Sequence, residues 1–380
     1  MKKYLYTVPL LLTALVVGGC GHRATADDYP QSFAPAEEVE PSDETLSAEA
    51  EPEPEAFTVT LGFAGDICFA DSEAVMKHYH EVGDDITQCI DPAYLDAMKA
   101  MDLMWVNNEF CYSDRGTPMP GKMWTFCSNP KNVALLDTMG VDIVGLANNH
   151  VFDYGADAFY DTLDTLTNAG IPYVGAGRNS EEAAAPIYLE CNGITIAYVA
   201  ASRAEKYILT PEAGADSPGV LRCYDPTAFL ASISEAAEHA DYVVALPHWG
   251  TEHTTELEEV QLTTGKAYLD AGADIVIGAH PHCLQGMEFY DGKPILYSLG
   301  NFWFDEYTSD TMVVQVTLRG TDPANLTAQV SILPGTQSNL VTTMASTDEE
   351  KQRIYSYIEK ISTNIAIDDV GNVTEQVGAN

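Results

Sequence analysis

The stretch GADIVIGAHPH at residues 272–282 decides the fold, because it joins the end of a helix to a buried strand and then to two histidines. Gly272 stops the preceding helical pattern, and the apolar run that follows suits a strand covered on both faces. A similar stretch, GVDIVGLANNH at residues 140–150, has the same order of glycine, buried strand and histidine. The repetition indicates either two related halves of a layered α/β domain or two independent uses of a common helix–strand pattern.

Further strands and helices alternate along the rest of the chain. Other strand patterns lie at 58–65, 102–107, 194–200, 241–247, 294–299, 312–318 and 326–333. Helical patterns lie at 92–101, 129–139, 156–169, 226–239 and 256–271. Asn192-Gly193, between two strand patterns, is typical of a β-hairpin. The predicted fold class is therefore α/β, arranged as a layered sandwich.

Polar side chains follow five of the predicted strands at their carboxyl ends. They are Asp66, Glu109, Asn149 with its neighbour His150, His248, and the pair His280 and His282. In an open α/β sheet the carboxyl ends of parallel strands share one edge, and ligands bind there. Each residue alone is compatible with a role in a turn, a cap or a core, whereas together they predict one site. Oxygen and imidazole donors suit Mn, Fe or Zn, as a single ion or as a pair about 3.5–4 Å apart.

The composition excludes one class of partner. The chain has 380 residues, with 57 Asp and Glu against 18 Lys and Arg, and a formal net charge of −39. A nucleic-acid binder needs a basic surface to displace counterions, so no nucleic-acid partner is expected. The same charge disfavours direct docking on anionic lipids and is compatible with binding cations. Because 46% of the residues are hydrophobic, the chain can form a sizeable core.

The first residues indicate the compartment. Lys2 and Lys3 precede a short apolar run that ends in small residues, which is typical of a secretory signal peptide at 1–19. Cys20 follows directly and resembles the lipobox of bacterial lipoproteins, in which the cysteine carries lipid; the alternative is an ordinary signal with an accidental cysteine. Residues 20–56 are then expected to be a disordered linker, because they carry eleven acids and five prolines. The predicted location is the outer face of the cell membrane, through a lipid anchor.

The number of cysteines agrees only in part with an extracytoplasmic location, where cysteines commonly pair in disulfides. Without Cys20 seven cysteines remain, and an odd number cannot pair completely within one chain. Cys111 and Cys127 flank a loop rich in glycine and proline, and they are the pair predicted to form a disulfide. Zinc-ribbon spacing is absent, because the sequence contains no C-x-x-C.

The motifs taken together resemble the CapA family of poly-γ-glutamate capsule proteins, which itself resembles the calcineurin-like metallophosphoesterases in fold. The matching stretches are residues 65–66, 102–109, 146–155, 175–179, 248–252, 272–282 and 297–302. They occur in the family's order and predict a CapA-like domain with a metallophosphatase fold at 57–305. Residues 306–380 fit the family only weakly, and they are expected to add strands and a helix packed on the same domain.

The resemblance implies a role for each site position. Five positions would be metal ligands, namely Asp66, Asn149, His248, His280 and His282. Glu109 stands where the superfamily has its bridging aspartate, and His150 would protonate a leaving oxygen. Cys68 stands where the superfamily's Asp-x-His motif has its histidine. It is compatible both with a thiolate ligand and with a buried small apolar side chain.

Two functions follow from the resemblance. The first is an extracytoplasmic lipoprotein of capsule or poly-γ-glutamate synthesis and export, working with membrane-bound synthase components. The second is a metal-dependent phosphoesterase acting on a phosphoester of the cell envelope. The negative charge disfavours direct adhesion to polyglutamate unless a cation bridges the two. The sequence leaves the choice between these functions, and the substrate, open.

Overall fold

A computed structural model describes residues 56–205 and 209–376. The predicted signal peptide at 1–19, the lipidation residue Cys20 and the linker up to residue 55 lie outside the described residues. Among the helices that are described, none has both the length and the apolar character needed to cross a bilayer.

The elements alternate as the sequence predicts. The helices are α1 Ala74–Glu81, α2 Pro92–Ala100, α3 Ala134–Met139, α4 Gly155–Ala169, α5 Ser180–Ala184, α6 Thr227–His239, α7 Glu259–Asp270 and α8 Asp348–Ile361. The strands of the first half are β1 Phe57–Ile67, β2 Leu103–Asn108, β3 Cys111–Tyr112, β4 Cys127–Ser128, β5 Ile143–Gly145, β6 Tyr173–Val174, β7 Ala176–Gly177, β8 Ile187–Cys191, β9 Ile194–Ser202 and β10 Gly219–Val220. Those of the second half are β11 Tyr242–His248, β12 Ile275–Ile277, β13 Met287–Tyr290, β14 Lys293–Leu296, β15 Asn301–Trp303, β16 Ser309–Gly320, β17 Thr327–Ser338, β18 Val341–Met344, β19 Ile365–Ile367 and β20 Val373–Glu375.

Two large sheets organise these strands. The first has the order β18-β17-β16-β1-β2-β5-β6, with β15 also paired to β1. The second has the order β13-β14-β12-β11-β9-β8. In the first sheet β2 pairs in parallel with β1 on one side and with β5 on the other. In the second sheet β9, β11, β12 and β14 follow one another as a parallel series. The two similar stretches of the sequence therefore supply one inner strand to each sheet, β5 and β12.

The side chains of the strands place the sheets face to face with helices outside them. Alternate residues of β9 face opposite sides, as a pleated strand requires: Ile196 and Tyr198 join the core that also holds Leu61 of β1, whereas Ala197 and Val199 pack with helices α6 and α7. A third core lies between the first sheet and helices α1 to α4. The molecule is thus a four-layer α/β/β/α sandwich, and the predicted fold class is confirmed.

The C-terminal residues belong to these layers. Strand β16 pairs antiparallel with β1 from Phe57↔Gly320 to Ala64↔Val313. Helix α8 contributes Ile354, Tyr355 and Ile358 to the core between the sheets. Residues beyond 305 therefore complete the first sheet and close part of its apolar face.

Glycine allows the strands that carry the site to approach closely. The backbone N–H of Asp66 donates to the carbonyl of Gly300 at 2.9 Å, which brings β1 against β15. A Cβ on Gly65 would lie 1.8 Å from that same carbonyl oxygen, so only glycine fits there. This contact gives a physical reason for two of the short sequence motifs, Gly65-Asp66 and Gly300-Asn301.

Candidate metal centre

Two carboxylates form the floor of the site. Asp66 is the next-to-last residue of β1, Glu109 directly follows β2, and both side chains are fully buried. The side-chain amide of Asn107 donates to Asp66 Oδ1 at 2.7 Å and to Glu109 Oε2 at 3.2 Å. One amide therefore holds the two acids together at the carboxyl edge of the first sheet.

Histidines from the second sheet approach the same carboxylates. His248, the last residue of β11, places Nε2 3.6 Å from Glu109 Oε1. The Nε2 atom of His282 lies 3.8 Å from that oxygen, and its Nδ1 lies 3.5 Å from Asp66 Oδ2. His282 Nδ1 also donates to Asn301 Oδ1 at 2.8 Å, a contact that orients the ring with Nε2 toward the pocket.

His280 occupies a strained position in the same cluster. Its φ is 101°, and that of His282 is 55°, so both histidines adopt left-handed backbone conformations that are costly for residues with a Cβ. The backbone N–H of His280 donates to Asp66 Oδ2 at 3.4 Å, and its ring lies 4.7 Å from that of His248. Strain of this kind concentrates at functional sites, because it holds side chains in positions that relaxed turns do not offer.

Asn149 closes the remaining side. Its Oδ1 lies 2.8 Å from His248 Nε2, and its backbone carbonyl accepts from Thr210 Oγ1 at 2.9 Å. The structure therefore brings all six predicted ligands together: Asp66, Glu109, Asn149, His248, His280 and His282. Cys68 is different, since it is fully buried in the apolar core between the first sheet and its helices. Burial raises the pKa of its thiol well above the usual range, which favours the apolar role over the thiolate.

Burial dominates the electrostatics of the pocket. It raises the pKa of Glu109 well above its usual range, and the charge of the neighbouring Asp66 raises it further. Burial also raises the pKa of Asp66, against the opposing effect of His282. The pKa values of His248 and His280 are lowered well below the usual value, first by burial and then by the neighbouring imidazoles. A cation bound here would favour ionisation of both acids, and the neutral imidazole is the form of histidine that binds metals.

The donor set fits a divalent metal. Three groups of side chains place candidate ligand atoms within 4.8 Å of one another: Glu109 with His248 and His280, Asp66 with Glu109 and His282, and Glu252 with His280 and His282. Two buried atoms of these groups, Glu109 Oε1 and His280 Nδ1, make no hydrogen bond within the described residues. Buried polar atoms without partners are rare, and here they belong to groups that commonly bind metals. Glu252 is a ligand candidate that the sequence analysis missed, although it belongs to the quoted stretch 248–252.

His150 lies at the rim with an acidic partner. Its Nδ1 donates to Asp153 Oδ2 at 2.7 Å, and its Nε2 faces Glu109 Oε1 at 4.0 Å. The ring packs against Phe126, with centroids 4.4 Å apart. Burial lowers the pKa of His150, and Asp153 opposes that shift. The arrangement fixes the tautomer of the neutral ring, with Nδ1 protonated and Nε2 directed at the pocket.

Lys122 reaches the site from a distant loop. Its side chain is 4% exposed, and Nζ lies 2.7 Å from Asp153 Oδ1 and 2.7 Å from Glu205 Oε2. It also donates to the backbone carbonyl of Asn149. No sequence pattern indicated Lys122, because the fold places its partners beside it, whereas Asp153 lies three residues after His150 in the quoted stretch 146–155 and was not recognised as a site residue.

The two cysteines predicted to pair are direct neighbours. Cys111 and Cys127 face each other across the parallel pair β3 and β4. Both are free thiols in the structure. Their proximity is therefore observed, whereas the disulfide stays a prediction.

Comparison with known proteins identifies the family. The family model described as bacterial capsule synthesis protein PGA_cap matches residues 60–306. The chain belongs to this PGA_cap family. The PGA biosynthesis protein CapA of Bacillus subtilis strain 168 is 35% identical over 268 residues, covering 69% of this chain and 68% of that protein. The capsule biosynthesis protein CapA of Bacillus anthracis is 34% identical over 245 residues, covering 62% of this chain and 58% of its own. The resemblance found in the motifs is confirmed.

Solved structures are similar to this PGA_cap chain at a lower level. One is a hypothetical protein from Thermus thermophilus, with a TM-score of 0.42, 16% identity, and coverage of 72% of this chain and 99% of the other. Another is the NAD nucleotidase of Haemophilus influenzae, with a TM-score of 0.38, 10% identity, and coverage of 83% and 58% respectively. Both likenesses are too low to bear on function.

Proposed function

We propose that this chain is an extracytoplasmic component of capsule or poly-γ-glutamate biosynthesis or export, and that it binds a divalent metal in the pocket around Glu109. The family supports the biosynthetic role. The observation that supports metal binding is the pair of buried acids, Asp66 and Glu109. They are surrounded by imidazoles whose pKa values are lowered. Two adjacent carboxylates in a dry site cannot both ionise without a cation between or beside them.

The residues that would hold the metal are the six predicted ligands, with Glu252 as an additional candidate. Mixed carboxylate, amide and imidazole donors suit Mn, Fe or Zn, and their spread accommodates one ion or two. A bound metal would supply Lewis acidity toward a phosphoryl or carboxylate oxygen. It would also supply the positive charge that this acidic chain lacks for contact with a polyanion such as polyglutamate.

Metal content tests the proposal directly. The full chain is purified, incubated separately with Mn, Fe and Zn salts, desalted, and measured by elemental mass spectrometry. Wild type and His239→Ala, a change on the exposed end of α6, should retain about one or two ions, while His280→Ala retains much less. Equal retention by both variants, or no retention by wild type with any of the three metals, would contradict the assignment.

Membrane attachment through Cys20 is the proposed location, and it supports partnership with membrane-bound synthase components. Lipid attached to this cysteine would anchor the chain to the membrane without any contribution from the rest of the protein. Cys20→Ser should move the protein from the membrane fraction to the soluble fraction of its native cell. A variant that remains bound as firmly as wild type would remove the anchor from the proposal.

A second candidate function is hydrolysis of a cell-envelope phosphoester at the same pocket. The observation that favours it is the His150–Asp153 pair, which directs Nε2 of His150 toward the carboxylate floor. A histidine held in this way can donate a proton to a leaving oxygen, while Asp153 stabilises the imidazolium form before transfer. The apolar ring of Phe126 excludes water from one face of the imidazole.

Hydrolysis and polymer synthesis are separated by one variant measured in two assays. His150→Ala is compared with wild type for cleavage of bis(p-nitrophenyl) phosphate in the presence of each metal, and for polymer restored to cells that lack the gene. For an enzyme, cleavage falls by about 10²–10⁴-fold while metal content is unchanged, and polymer is lost as well. Wild-type protein that binds metal, restores polymer and cleaves no phosphoester would exclude the hydrolase and keep the biosynthetic role.

A further inference from the structure

One loop connects the two cysteines of β3 and β4 to the rim of the metal centre. This bridging loop, residues 113–126, leaves the core at Tyr112 and returns at Cys127. It approaches the backbone just before helix α4 closely, since a Cβ on Gly116 would lie 2.3 Å from the carbonyl oxygen of Tyr154. The loop carries two exposed apolar side chains, Met123 and Trp124, so its outer surface is not held by packing.

Three contacts on the inner side of the bridging loop converge on Asp153. The backbone N–H of Met119 donates to the Asp153 carbonyl at 2.8 Å, and that of Phe126 donates to Asp153 Oδ2 at 2.7 Å. Lys122 pairs with Oδ1 of the same carboxylate at 2.7 Å. Because Asp153 Oδ2 also accepts from His150, the loop and the imidazole share one carboxylate. A loosening of the loop at Met119, Lys122 or Phe126 would therefore remove contacts of the group that orients His150.

The two cysteines lie at the two ends of the bridging loop, where a disulfide can form between them. They are register partners in a parallel ladder, whose strands lie about 4.8 Å apart. A disulfide spans Cα separations of roughly 4.4–6.8 Å, so it fits without moving the strands. Each Sγ now donates to a backbone carbonyl at 3.4 Å, Cys111 to Phe126 and Cys127 to Ser113. Cys127 is partly exposed whereas Cys111 is buried, so Cys127 is the thiol that a dissolved disulfide can reach first.

We propose that Cys111 and Cys127 form a disulfide that closes the bridging loop, and that this bond sets how firmly Lys122 and Phe126 hold Asp153 beside His150. The oxidant is an external disulfide, R–S–S–R. The Cys127 thiolate attacks one of its sulfurs and releases R–S⁻, and Cys111 then displaces the second R–S⁻. One S–S bond forms as one breaks, and the two thiol protons leave with two R–SH. Control of His150 rests on the function proposed for the site, whereas the bond itself does not.

The bond is tested on the full chain without reference to activity. Folded protein is equilibrated with oxidised glutathione, free thiols are alkylated, and peptides are mapped by mass spectrometry without reduction. A Cys111–Cys127 peptide should dominate in wild type and in Cys191→Ser, a matched loss of a partly exposed thiol elsewhere. Recovery of both residues as alkylated thiols, or pairing of Cys111 with another cysteine, would overturn the disulfide. The wild-type comparison of oxidised and reduced protein needs no variant and so does not depend on how a mutant folds.

The control exerted through the loop is tested by hydrogen exchange. Closing a loop of this length should slow exchange of the Met119 and Phe126 amides by roughly tenfold to a hundredfold in the oxidised protein. Cys127→Ser should exchange like reduced wild type under both conditions. Equal exchange in oxidised and reduced wild type would overturn the control of Asp153 even where the bond forms. Phosphoester cleavage is measured last: its absence in both forms counts against the hydrolase alone, since the exchange result stands without it.

Discussion

The electrostatic cost of burying acids in the pocket is clear at Glu109. It is fully buried, it lies beside a second buried acid, and its pKa is raised well above the usual range by burial and by Asp66. A carboxyl whose folded pKa exceeds its unfolded value stabilises the protein fully below the unfolded pKa. That stabilisation is lost as the pH rises through the folded pKa. In the absence of metal, Glu109 therefore lowers the free energy of unfolding at neutral pH.

We predict that Glu109→Gln is more stable than wild type in metal-free buffer, and that the difference grows with pH. Near pH 4 the two proteins should unfold at similar urea concentrations, because wild-type Glu109 is protonated in both states. Above about pH 4.5 the difference should increase by at most about 1.4 kcal/mol per pH unit. Asp66 and the pocket histidines are present in both proteins, so the pH-dependent difference reports Glu109 together with its coupling to Asp66. A difference that shrinks as the pH rises would show that the buried acid is stabilised by partners other than a proton.

At the scale of elements, the sequence predicted which segments are strands and helices better than it predicted their boundaries: β17, predicted to end at residue 333, runs to Ser338. Strand ends were visible because apolar runs stop at polar residues such as Asp66 and His248. The predicted helix at 129–139 is instead a 3-10 turn at Pro130–Val133 followed by α3, because the asparagine cap and proline tighten the first turn. Helix α7 begins at Glu259, three residues later than the pattern indicated, because Glu258 and Gln261 form a capping box.

The part of the site that could not be predicted depends on loops. Lys122 lies 31 residues before Asp153 in sequence and 83 before Glu205, and periodicity gives no information about such pairings. Glu252 likewise becomes a candidate ligand only when β11 and β12 lie side by side. The clustering of the candidate ligands at strand ends was predictable because a parallel sheet gathers its carboxyl ends by geometry alone.

Helix α8 offers a prediction at this scale. Its cap, Thr347, accepts from the backbone N–H of Glu350 at 3.2 Å, and Glu350 Oε2 accepts from that of Thr347 at 3.1 Å. Thr347→Ala removes one half of this capping box, and it should lower the free energy of unfolding by about 1 kcal/mol in urea titration. Thr321→Ala, an exposed threonine that caps no helix, should change it by less than about 0.5 kcal/mol. Equal losses in the two variants would mean that α8 does not depend on its cap.

At the scale of the whole molecule, the candidate metal centre lies where the two sheets meet. Asp66, Glu109 and Asn149 come from the first sheet, whereas His248, His280 and His282 come from the second. A metal held by both sets would join the sheets across their shared core. It would also offset repulsion in a chain whose formal net charge is −39, and this second effect requires no specific site.

We predict that saturating Mn or Zn raises the free energy of unfolding of wild type by about 2.7 kcal/mol when the free metal is a hundredfold above its dissociation constant. Removal of metal with EDTA should reverse the gain. His280→Ala separates the two effects, because it keeps the acidic surface and loses one of the three histidine donors of the second sheet. It should show only the small stabilisation that Mg also gives at equal ionic strength. If His280→Ala and wild type gain equally from Mn or Zn, then divalent cations act by screening alone, and the two sheets are held together by their apolar core without help from the site.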